Sequence, residues 1–93
     1  MTKDTISAAL SAEGLSASQD AFTIPEEREA TFLVAAPGDV MPLNKVVRVE
    51  LRDKVLCLHT AKDDHFWFSY DIILGLRVLA AKPGKERIAG FAK

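Results

Sequence analysis

Ninety-three residues, 48% hydrophobic and 27% charged with a net charge of -1, describe one folded domain with a single modest core. One cysteine excludes an intramolecular disulfide framework, and with only two histidines no structural zinc site and no other cofactor is expected. No apolar run approaches the roughly 18 residues of a membrane-spanning helix. The apolar residues 6–10 are bracketed by Asp4 and Glu13, unlike a secretory signal, so a cytoplasmic location is expected.

Residues 1–15 read as an N-terminal helical unit. Asp4 is placed to cap a helix over 4–13, and the alanine-rich segment after it has high helical propensity. Gly14 stops it, because a left-handed residue at C′ sets Leu15 against Leu10 in a Schellman ending. Residues 16–19 read as loop. A second helix over 16–22, which would complete a helix-turn-helix, holds no Lys or Arg and one Asp, too little to neutralise phosphates.

The β core is expected over 21–80. Phe22 and Ile24 alternate with Thr23 in a short strand halted by a turn at Pro25-Glu26-Glu27-Arg28, and a second strand over 30–35 ends at Pro37-Gly38-Asp39. Val47, Val49 and Leu51 then alternate with Arg48, Glu50 and Arg52, a strand with one wet face. Arg52-Asp53-Lys54 is a polar break before a strand over 55–60. Lys62-Asp63-Asp64 turns the chain into an aromatic strand, His65-Phe66-Trp67-Phe68-Ser69-Tyr70, so these three strands form an antiparallel meander. Asp71 can cap one helical turn over 72–74, closed by Gly75 before a last strand over 76–79.

Residues 81–93 form a basic tail in which Lys82-Pro83-Gly84-Lys85 is loop-like and Ile88 and Phe91 leave room for a docked segment. Charge runs along the chain: residues 1–40 carry 2 cations against 7 carboxylates, whereas residues 77–93 carry 5 cations against Glu86 alone. The opposite ends either attract each other or offer the tail to an acidic partner.

The elements predict a mainly β fold at the margin of α+β, a small, strongly bent antiparallel sheet or partly open barrel of five to six short strands with one N-terminal helix. Src-homology-type barrels, Sm-like folds and pleckstrin-homology-like sheets share that shape and host unrelated functions, so it carries architecture only. Phe66 and Phe68 share a face with Leu56 and Leu58 and are expected in the core.

Candidate chemistry is sparse. His59 and His65, beside Asp63 and Asp64, come together if their strands pair, but a turn explains the aspartates and no organised third ligand is apparent, so no metal site is expected. Cys57 lies mid-strand without a recognisable base or oxyanion hole and reads as a buried or half-buried thiol. There is no phosphate cradle, dinucleotide fingerprint or nucleophile elbow, and an enzyme is not expected.

The most informative feature is that the hairpin over 55–70 is apolar on both sides. Val55, Cys57 and Trp67 oppose Leu56, Leu58, Phe66 and Phe68, although an antiparallel sheet with a solvated face alternates cleanly. Either the N-terminal helix or the segment with Ile88 and Phe91 covers the second face, or Trp67, Val55, Cys57, His59 and His65, edged by Arg48 and Arg52, form a binding surface. The expected function is a non-catalytic protein-protein interaction or regulatory adaptor module that binds another protein or pairs as a homodimer. The alternative is a small nucleic-acid-binding barrel, with sheet aromatics stacking on bases while Arg48, Arg52, Lys54 and the tail supply charge.

Overall fold

The computed structural model describes residues 1–80. In chain order they form α1 (Lys3–Ala12), β1 (Ala17–Ser18), β2 (Ala21–Thr23), β3 (Arg28–Ala36), β4 (Asp39–Leu51), β5 (Val55–Thr60), β6 (His65–Ser69), a 3-10 turn (Tyr70–Ile72) and β7 (Ile73–Ala80). The basic tail, with Ile88 and Phe91, lies outside the described residues. No helix among the described residues is long and apolar enough to cross a membrane.

The cap of α1 is Thr2 rather than Asp4. Thr2 is extended and its Oγ1 accepts the Thr5 N–H at 3.1 Å, while Asp4 falls within the first turn, where its charge meets the positive end of the helix dipole. The far end is a Schellman motif: Gly14, at φ +85°, donates its N–H to Ser11 at 2.9 Å, and Leu15 donates to Leu10 at 3.1 Å. Leu10 and Leu15 are both buried. Arg28 fastens this end to β3 by donating to the carbonyl of Glu13 at 2.9 Å and to its carboxylate at 2.6 Å.

All strand pairs are antiparallel, and β4 is the axis of the sheet. Its C-terminal half meets β2 on one edge and β5 on the other, while its N-terminal half meets β3. Beyond these, β1 adds to β2, β7 to β3 and β6 to β5, giving a strongly curled half-barrel in which β6 and β7 do not pair. The curl has a local cause. The register slips between Ala30 and Phe32 on β3, where Lys45 of β4 takes φ +57°, and again between Val46 and Arg48. Such bulges sharpen the strand twist and bend the sheet. Thr31 Oγ1 bridges the first by donating to Asn44 Oδ1 at 3.2 Å.

Among the described residues, seven strands replace the expected five or six. A two-residue β1 forms in the expected loop over 16–19, and β4 is 13 residues long because it continues through Pro42. Proline is tolerated there: β5 pairs with β4 only from Val46 onward, leaving one edge of β4 open beside Pro42. The helical turn expected over 72–74 is also corrected. It is a 3-10 turn over Tyr70–Ile72, and Gly75, rather than closing a helix, sits inside β7 opposite Leu33. Burial of Ile73 in the core draws the start of β7 forward.

One core fills the concave side, where Phe22, Phe32, Val49, Leu56 and Leu58 enclose Ile6 and Leu10 of α1. The helix therefore packs on the core face and is not the cover of the second face. The expected burial of Phe66 and Phe68 is corrected as well. Phe68 is half-buried against the core and Phe66 is 36% exposed, because β6 is an edge strand and, among the described residues, no strand lies beyond it to enclose their rings.

Candidate interaction face

Strand parity builds the site. Leu56, Leu58 and Thr60 point into the core, so Val55, Cys57 and His59 project from the convex side of β5. On β6 the same alternation puts His65, Trp67 and Ser69 on that side. Strand register then arranges the residues in rows: Glu50, Cys57 and Trp67 in one, Arg48, His59 and His65 in the next, and Val55 beside Ser69 at the end. Arg52 lies just past β4 and reaches back to the first row. The structure thus brings together on one face the seven residues singled out from sequence.

Glu50 organises this face. Its Oε2 accepts from Arg48 Nε at 3.2 Å and lies 3.0 Å from His59 Nε2, while its Oε1 accepts from Arg52 Nη2 at 2.9 Å. The Arg48 hydrogen bond is the main cause of a carboxyl pKa below the ordinary value of 4.5; partial burial opposes it, and His59 and Arg52 assist. Sequence reading treated Glu50 only as part of a wet face. The signal was present in the Arg-x-Glu-x-Arg spacing, which places the three side chains on one side of a strand.

Cys57 is 1% exposed, and burial, reinforced by the nearby Glu50 charge, raises its thiol pKa above the ordinary 9.0. Its Sγ lies 3.5 Å from His59 Nε2, the same nitrogen that faces Glu50. An ionised carboxylate only accepts, so Nε2 carries the proton and cannot also take one from Cys57. The arrangement is a packed polar cluster and lacks the relay of a nucleophile and its base. His59 and His65 have ring centroids 5.5 Å apart at 31°, and among the described residues no group of three or more His, Cys, Asp or Glu is placed to hold a metal ion.

Trp67 dominates what remains, with 54% of its surface exposed and Val55 exposed nearby. Other exposed aliphatics on the convex side, Leu33, Val40 and Leu79, belong to β3, β4 and β7, away from this aromatic row. Two open clefts flank Lys45, one beside Ile24 and Val47 and the other beside Thr60 and Phe66, and neither includes Trp67, Cys57 or His59. No family model matches this chain, and no curated protein or solved structure is detectably similar to it.

Proposed function

We propose that the chain is a non-catalytic protein-interaction module of the cytoplasm whose convex β4–β5–β6 face receives a protein partner. The observation that carries this reading is Trp67, a large indole more than half exposed over the buried Cys57 and beside Val55. An exposed aromatic anchor with an apolar neighbour and a polar surround is the composition that interface hot spots favour. The polar surround is Arg48, Glu50, Arg52 and His59, already paired among themselves, so it can border an interface without leaving a buried charge alone.

The same pairing weighs against a phosphate backbone as ligand. Arg48 and Arg52 both engage Glu50, which reduces the positive field this face can offer. The test is selection of peptides from a random displayed library on the full chain, with Trp67→Ala as counter-selection. Peptides that shift the Trp67 fluorescence to the blue and lose binding to the variant support the reading. Peptides that bind both forms equally refute it, as does salt-sensitive binding of single-stranded oligonucleotides at this face in preference to peptides.

A further inference from the structure

We propose that β6 is a self-pairing edge, joining two copies of this chain through an antiparallel β6–β6 ladder whose two-fold axis passes through Trp67. The direction of the backbone groups follows from the register. The Thr60 N–H donates to Asp64 at 2.8 Å, so Thr60 and, by alternation, Leu58 and Leu56 bond toward β6. Their partners Phe66 and Phe68 are engaged by β5. His65, Trp67 and Ser69 therefore turn their N–H groups outward, and among the described residues β6 pairs with β5 alone.

Open edges of this kind are usually blunted by a charge, a proline or a bulge. β6 has none: its sequence is His-Phe-Trp-Phe-Ser, in regular register with β5. Of the other outer strands among the described residues, β1 is only two residues long, and β7 carries a register shift beside Leu74 and the cation Arg77. A β6–β7 contact between copies would also be heterologous and build a ring or a filament, whereas β6–β6 pairing closes as a dimer.

Complementarity selects the register. With the axis at Trp67, each Trp67 N–H meets the other copy's Trp67 carbonyl and each Ser69 N–H meets the other His65 carbonyl. On the concave side Phe66 opposes Phe68 twice, and on the convex side the two indoles meet. Moving the axis to Phe66 sets Phe68 against Asp64, and moving it to Phe68 sets Trp67 against Ser69. Only the Trp67 axis gives every apolar side chain of β6 an apolar partner. The second copy then extends the proposed face to double width, while the ladder itself rests on the outward N–H and C=O groups of the edge and takes its register from the β6 side chains.

Ser69→Pro isolates the edge. Ser69 already has φ -78°, which proline adopts without strain; the change removes an outward N–H together with the exposed hydrogen bond from the Ser69 hydroxyl to Asp71, and Ser69→Ala, which loses only the hydroxyl, is the control that should dimerise as the unaltered chain does. Sedimentation of the full chain over a concentration series should show a monomer–dimer equilibrium, weakened by about tenfold or more in Ser69→Pro. Hydrogen exchange adds an independent measurement on the unaltered chain: the Trp67 and Ser69 amides should slow as concentration rises, while Phe66 and Phe68 stay slow throughout. A chain monomeric at every concentration overturns the proposal, as does a dimer with unprotected Trp67 and Ser69 amides or one that Ser69→Pro leaves intact. The variant keeps Trp67 and the rest of its face, Ser69 lying at the end beside Val55, so peptide capture by Ser69→Pro, compared with Ser69→Ala, reports on the interaction face separately.

Discussion

Trp67→Ala separates fold from interface. The indole is 54% exposed, so somewhat under half of a side chain that can bury 150–250 Å² is withdrawn from water. At about 25 cal/mol/Å² that roughly 100 Å² sets an upper bound near 2.5 kcal/mol. Alanine retains part of the contact and the unfolded chain is partly compact, which brings the expected cost to about 1 kcal/mol. In a domain of this size that lowers the melting temperature by about 4–8 °C. Leu58→Ala, at a fully buried core position on the adjacent strand, should cost about 2–5 kcal/mol and melt well below it. Affinity for a selected peptide should instead fall by about 2 kcal/mol, roughly 30-fold, in Trp67→Ala. The assay is paired: dichroism melts of both variants, and peptide affinity of Trp67→Ala measured below its melt. If Trp67→Ala melts as early as Leu58→Ala, the indole is core and the face is abandoned.

Gly14→Ala should cost about 1–2 kcal/mol in a denaturant titration, because φ +85° disfavours a Cβ although nothing lies within 4 Å of where one would sit. The Glu50 carboxyl pKa is lowered in the folded state, so its contribution to stability is present above 4.5 and fades as pH falls through the lowered value. Melts across that range should show an acid-side loss of stability that is smaller in Glu50→Gln. Zinc at micromolar concentration should leave the His59 and His65 ring signals unmoved in NMR spectra, since His59 Nε2 is held by Glu50; stoichiometric submicromolar binding would contradict this. Alkylation of Cys57 at neutral pH should be slow, its thiol being buried and its pKa raised, and should quicken in Trp67→Ala, which uncovers the neighbouring row.

Local signals in the sequence carried most of the fold. Gly14 with Leu10 and Leu15 announced the helix end, and the alternation from Val47 to Leu51 and the polar break at 52–54 located the β4–β5 turn. Strand parity placed Val55, Cys57, His59, His65 and Trp67 on one side, which is where the structure has them. What escaped was set by tertiary context. The continuation of β4 through Pro42 depends on which of its edges is paired, and Asp71 and Gly75 carry helix-cap chemistry that the pull of Ile73 into the core overrides. Phe66 and Phe68 have core composition, yet their exposure depends on whether another strand lies beyond β6. Glu50 was missed because its role arises from bonds to two residues of its own strand region and one of the next.

A hairpin apolar on both faces has two physical resolutions, a second covering layer or a surface meant to meet something else, and composition does not separate them. The side occupied by α1 bears on the choice. A ten-residue helix has one apolar stripe, and here Ile6 and Leu10 of that stripe are fully buried against the concave sheet. Having closed the core, α1 has no second apolar face to lay over Trp67. The exposed Trp67 therefore lies on the strand whose outward backbone groups, among the described residues, have no strand partner, so side-chain and main-chain demands fall on the same five residues. An aromatic on a protected edge could be incidental, and so could an open edge bearing polar side chains. Their coincidence at β6 is what makes a partner at this side of the sheet the economical reading, with Ser69→Pro and Trp67→Ala addressing the backbone and the indole separately.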